Sequence, residues 1–181
     1  MAAQGLVAEP LAVDEIALGR QVWWRHARIG LRFAAVPTPP PDGRWQHGQV
    51  AAALYLAESE ETAWAEHLRA MAERGLPPVE GFPRNLWRCE VTFAHVADLS
   101  SVERLAAVGL PLPRPMRSDW APFQVIGERL FAEGWAGVLA PSAARPEDGR
   151  SLAIFRRNGE FPGVRPSRRP RRVGALPAEL R

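Results

Sequence analysis

The sequence predicts an α+β fold, a single domain in which helices flank a mixed, twisted β-sheet. Three observations predict it. The chain has 181 residues, the size of one globular domain. Residues 85–96 alternate, with Trp87, Cys89, Val91 and Phe93 on one face and Arg88, Glu90 and Thr92 on the other, the pattern of a half-buried strand. Residues 59–74 have the helical period instead, opened by Ser59 with acids at 60 and 61 and stopped at Gly75.

The remaining elements follow in order. Leu11–Arg20 reads as a short amphipathic helix, with Leu11, Ile16 and Leu18 apolar and Asp14 and Glu15 polar. Residues 22–36 are rich in aromatic and β-branched side chains and read as strand. Pro37–Gly43, with four prolines, is a loop. The apolar run 50–57 reads as a buried strand. In helix 59–74, Trp64, Leu68 and Met71 define the core stripe. Residues 100–108 suggest a short helix, and Pro111, Pro113 and Pro115 a loop. Residues 119–133 suggest a helix with Pro122 in its first turn. Residues 135–140 and 151–155 complete the count as two strands.

Composition removes several functions. All 23 basic residues are Arg, so Schiff-base and P-loop lysine chemistry are excluded. The one cysteine, Cys89, makes neither an internal disulfide nor a thiolate cluster, and suits a reducing cytoplasm. The four histidines lack metal-ligand spacing, so no metal is expected. The first ten residues do not resemble a signal peptide, and no run approaches the ~18 apolar residues of a membrane span. The charge divides unevenly. Residues 1–162 hold 17 Arg against 19 acids, whereas residues 163–181 hold six Arg, three Pro (Pro166, Pro170 and Pro177, with Pro162 just before them) and one acid. The expected organisation is therefore a domain over 1–162 and an extended Arg/Pro-rich tail over 163–181. A basic tail suits nucleic acid or an acidic partner. It has no aromatic residue past Phe161 to stack on bases, so a solvated tail is the plainer reading.

Individual residues are ambiguous. Glu66 lies about 200° from Trp64 at 100° per residue, sharing a face with Thr62, Arg69, Ala70 and Glu73. It either points into a cleft or sits in solvent paired with Arg69. Arg44, between Gly43 and Trp45, is either a phosphate fork or a surface Arg beside a core Trp. Tyr55, the only tyrosine, is either a site residue or core packing with one satisfied hydroxyl. Ser142 is either a site residue or a turn after Pro141.

Their order is more specific. Gly43-Arg44-Trp45 is followed by Tyr55 in Leu54-Tyr55-Leu56-Ala57, by Glu66 eleven residues later, and by a late Pro141-Ser142; Trp24-Arg25 precedes them. This resembles the RES domain, a family of toxins from bacterial toxin–antitoxin pairs. Gln46 and His47 stand where the family usually has Asn and Pro, and residues 149–155 replace an often Asn-rich segment.

The resemblance implies an ADP-ribosyltransferase-like fold and an enzyme that consumes NAD+ as glycohydrolase, or as phosphorylase with inorganic phosphate. Its alternatives are ADP-ribosylation of a protein, or a non-enzymatic nucleic-acid or partner-binding module that uses the tail. In the implied roles, Glu66 stabilises the oxocarbenium-like charge as the nicotinamide–ribose bond breaks. Arg44 and Arg25 clamp phosphate, Tyr55 orients the nicotinamide end, Ser142 holds ribose or phosphate, and Trp45 lines the pocket. The implied partner is a helix-turn-helix antitoxin, with DNA reached only through it and no membrane contact.

Overall fold

Where the sequence suggests a helix over 11–20, the computed structural model, which describes residues 9–177, begins one of its two longest strands. β1 (Asp14–Arg28) pairs antiparallel with β3 (Arg84–Asp98) along most of its length. Ile16 and Leu18 are two apart, a spacing that serves a strand as well as a helix, and the ladder to β3 decides between them. Register shifts on either side of Leu18 let that side chain turn inward, where it is 2% exposed. The strand expected over 22–36 stops at Arg28, and turns follow, with Gly30 in the left-handed region (φ 84°).

The other elements lie close to their expected places. They are β2 (Ala53–Ala57), α1 (Glu60–Ala72), α2 (Val102–Ala107), α3 (Trp120–Ala132), β4 (Gly137–Pro141) and β5 (Arg150–Phe155). Ser59 caps α1, its Oγ accepting from Thr62 N at 3.1 Å. The core stripe of α1 differs from the expected one: Trp64, His67 and Met71 are buried, and Leu68 is only half-buried. The Arg- and Pro-rich segment supplies β6 (Val164–Pro166) and β7 (Arg171–Val173), both antiparallel to β3. Arg165 joins Arg20 on Glu90, and Arg171 reaches Glu60.

Following the pairings from β1 through β2, β5, β4 and β3 leads back to β1, so five strands close a ring. Only β3 and β4 run parallel within it. Leu18, Trp23, Leu54, Leu56, Cys89, Val91, Leu139, Leu152 and Ile154 form one core cluster contributed by all five strands. Tyr55 and Ala53, on the opposite face of β2, pack with α2 and α3 in a second cluster around Trp45, Phe123 and Phe155. α1 anchors a third, where Trp64 packs with Leu86 of β3 and Val173 of β7. The ring is thinnest between β1 and β2, which share the single pair Trp24–Ala57. No helix among the described residues is long and apolar enough to cross a membrane.

Candidate active site

Tyr55, Glu66, Ser142 and Arg44 come from β2, α1, the residue after β4 and a turn; Ser142 bonds Glu66, and the Arg44 guanidinium lies within electrostatic reach of Glu66 and Tyr55. The turn is the tightest piece. Gly43 and Gln46 pair main chain to main chain, with Gly43 N donating to Gln46 O at 2.9 Å. A Cβ at position 43 would collide with the Tyr55 hydroxyl, so only glycine lets the turn lie against β2. The hydroxyl accepts from Trp45 N at 3.1 Å and donates to Gln46 Oε1 at 2.7 Å. Burial holds the phenol above its ordinary range, which keeps Tyr55 a neutral donor. Two bonds to α3 fix the turn from behind: Gln124 Nε2 donates to Gly43 O at 3.0 Å, and His47 N donates to Glu128 Oε1 at 2.7 Å. A Cβ at Gly127 would strike the Trp45 carbonyl, so α3 must carry glycine where the turn crosses it.

Arg44 is 9% exposed. Its guanidinium lies over the Phe123 ring at 5.1 Å, and Nη2 donates to Arg114 O at 2.6 Å. Nη1 is buried and has no partner. Burial first, and then the neighbouring Arg69 cation, lowers its affinity for the proton, while Glu66 opposes that shift. A buried guanidinium N–H without an acceptor costs on the order of 1–3 kcal/mol.

Glu66 points away from the core stripe of α1 and meets Ser142. Ser142 Oγ donates to Glu66 Oε1 at 2.6 Å, and Ala144 N reaches the same oxygen at 3.3 Å. Ser142 is fully buried, its Oγ also accepting from Ala144 N and Arg145 N as the chain turns after β4. Arg69 Nε donates to the other oxygen, Oε2, at 2.9 Å. The two sequence readings of Glu66 thus hold at once, as it has both the Arg69 pair and a buried partner. A cavity of about 370 Å³ opens beside this cluster, between Pro111–Pro115 and Ala143, Ala144 and Pro146.

Two candidates lie elsewhere. Arg25 faces the ring interior with Trp23 and Cys89. Its Nη1 donates to the Tyr55 main-chain carbonyl at 3.4 Å across the thin β1–β2 seam, and its Nε is buried without a partner. Among the described residues no contact joins it to Arg44, Glu66 or Ser142. The Trp45 side chain is 2% exposed and packs edge-on to Phe123 at 5.4 Å inside the core, while its main-chain N stays on the Tyr55 hydroxyl. Sequence reasoning gave no role to Gln46, the acceptor for Tyr55, or to Glu73, which holds Arg69 at 2.5 Å. The spacing of Glu66, Arg69 and Glu73 along one helix face was the available signal for the second; nothing local marks the first.

Known proteins resemble the chain in sequence and in fold. NAD(+) phosphorylase MbcT of Mycobacterium bovis and of Mycobacterium tuberculosis is 31% identical over 104 residues, 56% of this chain and 55% of the relative. The match thus spans about half the length of those curated relatives. The crystal structure of the M. tuberculosis MbcT–MbcA toxin–antitoxin complex contains a chain that superposes with a TM-score of 0.74 at 22% identity, over 88% of this chain and 87% of that one. This likeness shows a shared fold. The RES domain family model matches residues 22–174, which include every residue of the cluster, and the chain belongs to the RES domain family.

Proposed function

We propose that the protein is the toxin of a toxin–antitoxin pair and destroys NAD+ by breaking the nicotinamide–ribose bond. The observation that carries this reading is a carboxylate and an unpartnered guanidinium N–H beside one cavity, Glu66 bonded to Ala144 and Arg44 to Arg114 of its wall. Glu66 is held on Ser142 Oγ at 2.6 Å, and Arg44 leaves a buried Nη1 unpartnered. In the reaction the C–N bond breaks, its electron pair leaves with neutral nicotinamide, and the ribose carbon becomes cationic. The Glu66 carboxylate stabilises that charge electrostatically. Arg44 takes a phosphate oxygen on Nη1. Tyr55, held neutral and hydrogen-bonded, orients the turn that presents Arg44.

The acceptor that completes the reaction is inorganic phosphate, one of whose oxygens bonds to the ribose carbon. The name of the mycobacterial relatives supports this choice, and water is the competing acceptor. An antitoxin that covers the cavity between Pro111–Pro115 and Ala144 would silence the enzyme.

The test is to incubate purified protein with NAD+, with and without phosphate, and follow nicotinamide and ADP-ribose products. Phosphate-dependent consumption is expected. Glu66→Gln should slow it by about a hundredfold or more, the scale of losing one electrostatic stabiliser. NAD+ left intact under both conditions sinks the reading. Free ADP-ribose with no phosphate requirement replaces phosphorolysis by hydrolysis.

A further inference from the structure

We propose that Arg69 is a positioning residue for Glu66, a role that rests on the reading above and that the RES motif residues do not include. Glu66 is gripped at both oxygens. Ser142 Oγ and Ala144 N hold Oε1, and Arg69 Nε holds Oε2. The grip fixes the carboxylate plane only if Arg69 is itself immobile. Arg69 Nη1 donates to Glu73 Oε1 at 2.5 Å and reaches Pro115 O at 3.5 Å. Glu66 and Arg69 on α1 and Glu73 at its C-cap sit at i, i+3 and i+7, so one helix face and its end build the whole chain of contacts.

This differs from an ordinary surface pair. The Arg69 side chain is 15% exposed and that of Glu73 14%, so neither swings freely in water. The second anchor lies on the Pro111–Pro115 wall of the cavity, whose Arg114 carbonyl also takes Arg44. Arg69 therefore ties the carboxylate, the cavity wall and the Arg44 region into one arrangement. Arg44's lowered proton affinity has Arg69 as its second cause, after burial, which places the two cations close together. Arg69 Nε and Nη1 are fully engaged by protein acceptors, which suits holding Glu66 better than gripping substrate.

The test compares wild type with Arg69→Gln, Arg69→Lys and Glu73→Gln in steady-state NAD+ consumption, with thermal melting as a fold check. Arg69→Gln should lower kcat on the order of a hundredfold with KM within about threefold of wild type, because a carboxylate displaced by about 1 Å loses its alignment. Arg69→Lys, with charge but no fork, should recover part of kcat, and Glu73→Gln should lose less than Arg69→Gln in the same direction. A wild-type kcat in Arg69→Gln overturns the proposal. A raised KM with unchanged kcat also overturns it, since Arg69 would then bind substrate. If Arg69→Gln does not fold, the Lys and Glu73 variants decide by the same kcat criterion. A crystal structure of Arg69→Lys or Glu73→Gln gives a readout independent of turnover. Glu66 should leave its 2.6 Å contact with Ser142, and a carboxylate that stays there overturns the inference even if wild type ignores NAD+.

Discussion

The two long faces of α1 solve opposite problems with the same backbone. One face carries Trp64, His67 and Met71 into the core against Phe82 and Leu86, where burial first lowers the proton affinity of His67. The other carries Glu66, Arg69 and Glu73, all charged in their pairings and all partly shielded. The first face removes charge and the second balances it. A helix can hold a carboxylate rigidly because its opposite side is bolted to the sheet. Stability and chemistry should therefore separate by face.

The largest expected effect breaks the bolted side. Trp64 is 1% exposed and packs on Phe82 with ring centroids 5.4 Å apart. Trp64→Ala should cost about 3–5 kcal/mol in urea unfolding. Glu66→Gln, one residue pair away on the other face, should cost less than about 1 kcal/mol, the worth of a partly exposed ion pair, while abolishing most turnover. A Glu66→Gln protein as unstable as Trp64→Ala would show that the two faces are not separable.

How much of this contrast could be read from the chain depends on distance along it. The helix, its Ser59 cap, its Gly75 stop and the angular position of Glu66 opposite Trp64 follow from local spacing, and the structure has them. That the Glu66 face would be covered could not be read locally, because the cover arrives 76 residues later as Ser142. His67 displaced Leu68 from the core stripe because Gly81 leaves room for an imidazole and offers it a carbonyl at 3.2 Å. Hydrophobicity alone ranks leucine first. The error at 11–20 has a similar origin: short apolar spacings cannot choose between periods when the deciding partner, β3, lies about 80 residues away. The motif residues Arg44, Tyr55, Glu66 and Ser142 were singled out by order, and the structure gathers them. Arg25, chosen by the same order, instead spans the β1–β2 seam, which no local pattern announces.

The neutral histidine gives a pH test of intermediate size. Burial, with Arg84 and Arg74 nearby, pulls His67 down to about 4 against 6.5 when unfolded, with the Gly81 carbonyl opposing. The His26 ring lies tilted beside it at 4.5 Å and is lowered by burial, by His67 and by Arg84, Arg25 and Arg74. The unfolded chain then binds protons first as pH falls. Stability is complete above about pH 6.5 and declines toward pH 4, by on the order of 2–3 kcal/mol from His67 alone. Urea midpoints at pH 7, 6, 5 and 4 measure it. His67→Gln should flatten the decline. An unchanged slope would mean that the core face carries no titrating burden.

The smallest effect tests whether the faces share anything. Ser59 Oγ accepts from Thr62 N and lies 3.1 Å from Thr62 Oγ1, closing the first turn that both faces grow from. Ser59→Ala should cost about 1 kcal/mol, a melting shift of about 2–4 °C. Trp64 and Glu66 both begin after that turn, and each is held by contacts beyond it, on Phe82 and on Ser142. Fraying should therefore stop before either, lowering the melting temperature while leaving turnover per folded molecule unchanged. A disproportionate loss of turnover would show that the cap positions Glu66 directly, and that the rigidity of the charged face originates at the helix end, where the packing of Trp64 contributes nothing to it.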